Sequence, residues 1–203
     1  KLDSVTNYEL YKGLWSSFND HNFHEVAWSL NRQSGPEGIY RNIPLYTFVD
    51  NHDVNRVASV LKNQAHLFPL YGLLFTIPGV PSLYYGSEWG MRGEKTHGSD
   101  AFLRPAIAET SDHGIHSGVP AACKPAVDSA KLEDAVRSFA RIRKEHAALQ
   151  SGSYAQLQVS ADQFTFLREG SGEQVLVAVC EAQVIDKAAD DFHQFNRLRR
   201  DVH

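Results

Sequence analysis

Cysteine is scarce: Cys123 and Cys180 are the only two in 203 residues, and neither belongs to a C-x-x-C pair. Two thiols cannot build a disulfide framework, which points to a reducing compartment. No apolar run approaches the roughly 20 residues that a membrane-crossing helix needs. A strong charge of one sign is missing as well. The 20 Lys plus Arg stand against 24 Asp plus Glu, a net of −4, too mild to suggest nucleic acid or an acidic membrane surface as partner. There is no initiator methionine. The chain opens Lys-Leu-Asp-Ser and reads as a piece that begins inside a larger protein, so the lack of a signal peptide leaves export open. A cytoplasmic location is the expectation. No internal repeat is found.

What is present is ordinary globular material. Hydrophobic residues make up 42% and charged residues 22%, enough for one large domain or one domain plus a smaller one. The stretch that organises the rest is Leu45–Arg56, Leu-Tyr-Thr-Phe-Val-Asp-Asn-His-Asp-Val-Asn-Arg. It starts as an aromatic and β-branched strand, Leu45 to Val49, and turns polar at Asp50-Asn51-His52-Asp53. In α/β proteins the ligand crevice lies at the carboxyl ends of strands, which makes His52 and Asp53 site candidates. The plainer alternative is an Asx-rich turn with a helix cap.

Elsewhere the pattern alternates. Leu2 to Tyr8 suits a short strand. Leu10, Leu14 and Phe18 share a helical face, and after a turn at 19–22 helical spacing resumes through Leu30 to Gly35-Pro36. A helix is expected from about Val54 to Thr76, its second half apolar nearly all round and therefore buried between layers. A strand, Val80 to Tyr85, ends at Gly86-Ser87-Glu88. Strand, helix, strand, helix, strand is the grammar of parallel βαβ units. A long aperiodic loop from Trp89 to about Val127 precedes a helix capped by Asp128 or Ser129. Its core face is Leu132, Ala135, Val136, Phe139, Ile142 and Leu149, and it ends at Gly152. From Tyr154 the period becomes two, giving an antiparallel meander through Val179 and an irregular tail over 186–203.

Two stretches carry a resemblance: Phe48-Val49-Asp50-Asn51-His52-Asp53-Val54-Asn55-Arg56 and Pro78-Gly79-Val80-Pro81-Ser82-Leu83-Tyr84-Tyr85-Gly86-Ser87-Glu88. Together, and in this order, they resemble the alpha-amylase family of glycoside hydrolases, family 13. The first is similar to the family's Asn-His-Asp region, the second to its P-G-x-P-x-x-Y-Y-G-x-E stretch at the eighth barrel strand. The resemblance implies an α/β fold comprising the last three units of a (β/α)8 barrel over 1–150, then a partial antiparallel β domain over 151–203. It implies retaining hydrolysis of α-glucosidic bonds in starch-like glucans or maltooligosaccharides. That chemistry needs a nucleophile and a general acid about 5–5.5 Å apart. The family's nucleophile sits in G-x-R-x-D on the fourth strand and its acid is a Glu on the fifth. The sequence contains no G-x-R-x-D, so both residues are expected to lie in a missing N-terminal barrel half. Alone, the chain is expected to be inactive and dependent on that partner.

By the match, Asp53 corresponds to the family's transition-state stabiliser and His52 to its sugar-binding partner, with Asn51 beside them. Tyr85 and Trp89 are candidate sugar-stacking rings, and Glu88 a strand-end carboxylate that either lines the site or orders the loop around Arg92. Asp100 and Arg104 resemble a D-x-x-x-R-P element that shapes a subsite or forms a plain ion pair. Arg56 is expected to pair with a carboxylate. His97, His113 and His116 lack the spacing of a zinc set. No metal ligands are assigned, no cofactor is evident, and calcium is not indicated. Two alternatives remain: a non-catalytic sugar-binding piece, and a metal-dependent phosphohydrolase using His-Asp as ligands.

Overall fold

The computed structural model describes residues 3–96, 98–106 and 119–180. The candidate zinc set, His97, His113 and His116, and the tail beyond 180 lie outside them. The first helix, α1 (Tyr8–Asn19), starts where the Asn7 side chain accepts from Leu10 N, and its stripe of Leu10, Leu14 and Phe18 is buried. Such an N-cap satisfies one of the orphan amides of the first turn. After a turn in which His21 takes a positive φ of 49°, α2 (His24–Ser34) buries Val26, Ala27 and Leu30 against α1.

The strand expected at 45–49 forms as β1 (Tyr46–Phe48) and runs parallel to β2 (Val80–Ser82), with Tyr46 opposite Val80 and Phe48 opposite Ser82. On the other side of β1, the strand expected over 2–8 contracts to a single parallel bridge between Thr6 and Tyr46. β2 also stops three residues sooner than its aromatic run suggests. Beyond Phe48, β1 leaves the sheet, so Leu83 to Tyr85 have no ladder to join. Gly79, at the entry to β2, has φ +110°, and a Cβ there would lie 2.6 Å from the Leu45 carbonyl oxygen. Only glycine fits so close an approach at that dihedral.

The long helix expected from 54 to 76 is broken. α3 (Val57–Val60) is one turn, a 3-10 turn covers Gln64–His66, and α4 (Leu67–Thr76) follows. The break has a tertiary cause. Asn19, at the end of α1, donates from Nδ2 to the Val60 carbonyl at 2.9 Å and accepts from Lys62 N at 2.9 Å. A side chain more than 40 residues away thereby takes the bonds that would have continued the helix. Pro69 sits in the first turn of α4, where a missing N–H costs nothing. Leu67, Leu70, Tyr71, Leu73, Leu74 and Phe75 are buried, consistent with a helix packed on several sides.

α5 (Ser129–Glu145) begins at Asp128, whose side chain accepts from Lys131 N. Leu132 and Val136 are buried and Phe139 packs on Gly72 of α4, but Ile142, expected in the core, is 38% exposed. Its helix does not run through to Gly152. His146 is extended (φ −110°, ψ 107°), and a short α6 (Ala147–Ser151) restarts at an angle. The Glu173 carboxylate accepts from Ala148 N at 2.8 Å and pairs with His146 Nδ1 at 3.0 Å, holding the restart.

The meander forms as β3 (Ser153–Val159), β4 (Gln163–Gly170) and β5 (Glu173–Cys180), an antiparallel sheet in sequence order. Ser171 and Gly172, both at positive φ, close the β4–β5 hairpin, as two-residue turns require. Tyr154, Phe164, Phe166 and Val179 join the same buried cluster as α1, α2 and α4. Two buried arginines tie the layers. Arg168 of β4 donates to the carbonyls of Thr76 (2.7 Å), Gly152 (2.9 Å) and Ser153 (3.1 Å). Arg143 of α5 donates to those of Phe75 (2.8 Å), Ile77 (3.2 Å) and Gly79. The carbonyls at the end of α4, which no helical amide can reach, thus find cations that also suit the helix dipole.

Candidate functional site

At the C-terminal end of β1 the chain turns away from the sheet. Asn51 fixes the turn: its Oδ1 accepts from Asp53 N at 2.8 Å, and its Nδ2 donates to the Tyr8 hydroxyl at 3.1 Å. This is the Asx turn that the sequence allows, and it projects the next two side chains outward. His52 and Asp53 are about half exposed, with His52 Nε2 and Asp53 Oδ2 3.2 Å apart. Arg104 closes the group. Its Nη2 lies 3.2 Å from Asp53 Oδ1 and 3.0 Å from Asp100 Oδ2, and its Nε donates to the His52 carbonyl at 3.0 Å. Lys95 Nζ is 3.9 Å from the other Asp100 oxygen. Two carboxylates and two cations therefore share one open surface, and each carboxylate keeps lone pairs turned to solvent.

The structure brings together Asn51, His52, Asp53, Asp100 and Arg104. Tyr85 borders them, its hydroxyl donating to the Pro105 carbonyl at 3.0 Å and its ring 39% exposed. Glu88 and Trp89 lie apart. Trp89 Nε1 donates to Glu133 Oε2 of α5 at 3.0 Å. The Glu88 carboxyl is pushed up by burial, with the Glu133 charge adding to the shift, and one of its oxygens is buried without a partner. No ion pair joins it to Arg92.

Beneath the open group is a buried one that sequence reasoning missed. Asp50 is 1% exposed. Its Oδ2 accepts from Val57 N at 2.9 Å and from Ser87 Oγ at 2.8 Å. Ser87 in turn accepts from Arg56 Nη1 at 3.3 Å. The carboxylate expected beside Arg56 is thus reached through a hydroxyl. Fully buried, Arg56 also donates from Nη1 to the Tyr85 carbonyl (2.7 Å) and from Nη2 to the Leu103 carbonyl (3.0 Å), while its Nε has no partner among the described residues. The guanidinium lies over the rings of Tyr84 and Tyr85 at 4.6 and 5.0 Å, a cation–π contact of the favourable kind. Burial and the adjacent Tyr85 hydroxyl push the Tyr84 phenol up to about 12, so it stays protonated. Asp50 is pushed up by burial, which its two hydrogen bonds and Arg56 only partly offset. Asp50 belongs to the polar run, yet its side chain is as buried as that of Val49 before it, which the sequence pattern does not show. Its network sets the ends of β1 and β2 and the 84–105 loop in register, so that Arg104 can reach Asp53. Among the described residues no cluster of three His, Cys, Asp or Glu could hold a metal ion.

Comparison with known proteins gives the context. The family model described as alpha amylase, catalytic domain, matches residues 1–159. Alpha-amylase 2 of Dictyoglomus thermophilum is 26% identical over 156 residues, 77% of this chain and 25% of that protein. A 4-alpha-glucanotransferase of Thermotoga maritima is 36% identical over 83 residues, 36% of this chain and 18% of that protein. Among solved structures, an alpha-amylase from H. orenii superposes with a TM-score of 0.68 at 22% identity, covering 87% of this chain and 38% of that one. The chain spans about a quarter of the length of the first curated relatives it matches.

Proposed function

This chain belongs to the alpha-amylase family, and on that premise we propose that it forms part of a retaining glycoside hydrolase acting on the α-glucosidic bonds of starch-like glucans or maltooligosaccharides. In this reading residues 1–150 are the last three units of a (β/α)8 barrel, and 151–203 open a β domain. The nucleophile and general acid come from barrel strands outside residues 1–203. Asp53 supplies the third carboxylate. As the glycosidic bond breaks, the sugar ring flattens toward an oxocarbenium ion and its hydroxyls become stronger donors. An ionised carboxylate accepting from them binds that state more tightly than the ground state. His52, within reach of Asp53, donates to the same sugar. Asp100 and Arg104 border it, and the Tyr85 ring offers an apolar face.

The observation that supports this most is the presentation of Asp53: half exposed at a strand end, anchored at one oxygen by Arg104 and by the Asn51 turn at its amide. A metal-binding His-Asp pair would want further acidic or imidazole ligands, whereas the third neighbour here is a cation. The test is Asp53→Ala in the complete enzyme. A hydrogen bond to a charged group is worth about 1.5–3 kcal/mol, so losing two predicts a fall in kcat of about 10²–10⁴. An unchanged kcat rejects the assignment.

A further inference from the structure

A cleft lies at the other end of the strands. Pro44 and Gly79 precede β1 and β2, whose far ends lead to Asp53. There a cleft of about 810 Å³ opens between the 34–44 segment, Pro78-Gly79 and the start of β3. That volume falls within the range of roughly 300–1,000 Å³ typical of small-molecule sites. Tyr40, Arg41, Asn42 and Gln150 line it, and buried Tyr154 and Arg168 form its floor.

The charge around this cleft is one-sided. Among the described residues no Asp or Glu lines it. Arg168 is 1% exposed and Arg143, whose field it feels, is 8% exposed. Carbonyl oxygens accept from their guanidinium nitrogens, but carbonyls are dipoles and carry no countercharge. Among the described residues neither arginine has a carboxylate at ion-pair distance, their side chains bonding carbonyls instead. Arg168 also brings five N–H groups to three acceptors. Burial and the Arg143 charge depress Arg168 to about 10, still cationic at neutral pH. A third cation, Arg41, stands at the rim; its acidic neighbour Glu37 is 4.0 Å away and fully exposed, where water screens it. Finally, Tyr154 lines the cleft from the core side, and its hydroxyl is buried with no hydrogen-bond partner among the described residues. Burial raises its pKa, so it is a donor lacking an acceptor.

Among the described residues, buried positive charge without a counterion, an unmet hydroxyl donor and a wall free of acids together describe the complement of an anion. We propose that this cleft binds a small ligand bearing an oxyanion, a phosphate monoester or a carboxylate, at a site separate from Asp53. The negative group sits toward Arg41, Arg168 and Tyr154. Asn42 and Gln150 face its polar substituents, and the Tyr40 ring its carbon skeleton. In a low-dielectric wall the field of Arg168 and Arg143 acts over several ångströms without direct contact.

The test is calorimetric titration of the full-length protein with inorganic phosphate, and separately with acetate, at neutral pH and constant ionic strength set by chloride. The proposal expects saturable one-site binding of at least one of the two, and which one binds identifies the oxyanion. Arg41→Gln, an exposed change, and Tyr154→Phe, which keeps the ring, each weaken it by about tenfold. Asp53→Ala leaves it unchanged. Absence of saturable binding to either anion overturns the proposal, as does binding that survives Arg41→Gln. Binding lost in Asp53→Ala would place the anion at the sugar site and overturn it equally. Unaltered melting curves for Arg41→Gln establish that its effect is on the ligand and not on folding.

Discussion

Asp53 and Arg104 stand 51 residues apart in the sequence and meet at 3.2 Å, while the same guanidinium nitrogen holds Asp100 at 3.0 Å. One arginine therefore sets the spacing of two carboxylates and, through Nε, the backbone of His52.

That arrangement predicts a separation of activity from stability. All three side chains are more than a third exposed, so the ion pairs contribute only about 0–1 kcal/mol to folding. In the complete enzyme Arg104→Ala should lower kcat by about 10- to 100-fold while moving the melting midpoint by no more than a few degrees. Arg104→Lys should recover part of the loss, because an ammonium supplies the charge but cannot reach two carboxylates and a carbonyl in one plane. Steady-state kinetics beside a thermal melt of each variant check this. Equal losses in both measurements would mean that Arg104 is structural only.

Asp50 predicts the reverse. Asp50→Ala strands Val57 N–H and the Ser87 hydroxyl and leaves Arg56 without its nearest acid. Removing a buried partner of this kind costs about 2–4 kcal/mol. Asp50→Asn keeps an acceptor oxygen and should cost less. The pH dependence follows from the direction of the shift. Burial raises the folded pKa above the ordinary 3.8. The stability contributed by this titration is present below 3.8 and is lost as pH rises through the elevated folded value. Chemical denaturation of wild type and Asp50→Asn across the acid range should show the variant gaining on wild type as pH rises. Parallel curves would contradict it.

Glu173 has the opposite sign. The Ala148 amide and the His146 ring lower its pKa from the ordinary 4.5. Its contribution is therefore present above 4.5 and disappears as pH falls through the lowered folded value. In Glu173→Gln the amide oxygen can still accept from Ala148 N, but the acid-side slope should become shallower by the share Glu173 contributed. Melting midpoints recorded down the acid limb for both proteins decide it, and an unchanged slope would remove Glu173 from the account.

How much of this could be read from residues alone depended on how local the cause was. The stripe of Leu10, Leu14 and Phe18, the Asp128 cap and the alternation from Tyr154 onward were legible because their periods are intrinsic to helix and strand. The break at 61–63 was not. It is imposed by Asn19, whose side chain caps both Val60 and Lys62 from across the fold. The break at His146 is imposed in the same way by Glu173. In the site, Asn51, His52 and Asp53 stood out as a polar run after an apolar strand, and Asp100 and Arg104 shared a recognisable spacing. That Asp50 turns inward, and that Ser87 mediates between it and Arg56, was illegible because burial assigns those roles and burial is a property of the whole chain. Glu88 and Trp89 carried the right residue types at a strand end, but Trp89 bonds to Glu133 of α5 and the Glu88 carboxyl is partly buried.

Arg168 crosses from β4 to the Thr76 carbonyl, 92 residues away in sequence, beside Arg143 on the same helix end. Peeling the three-stranded sheet from the helices would strip a guanidinium from carbonyls on both sides of the seam at once and uncover Phe164 and Phe166. The joint works as a rivet and not as a hinge, so sheet and helices should melt together in a single transition.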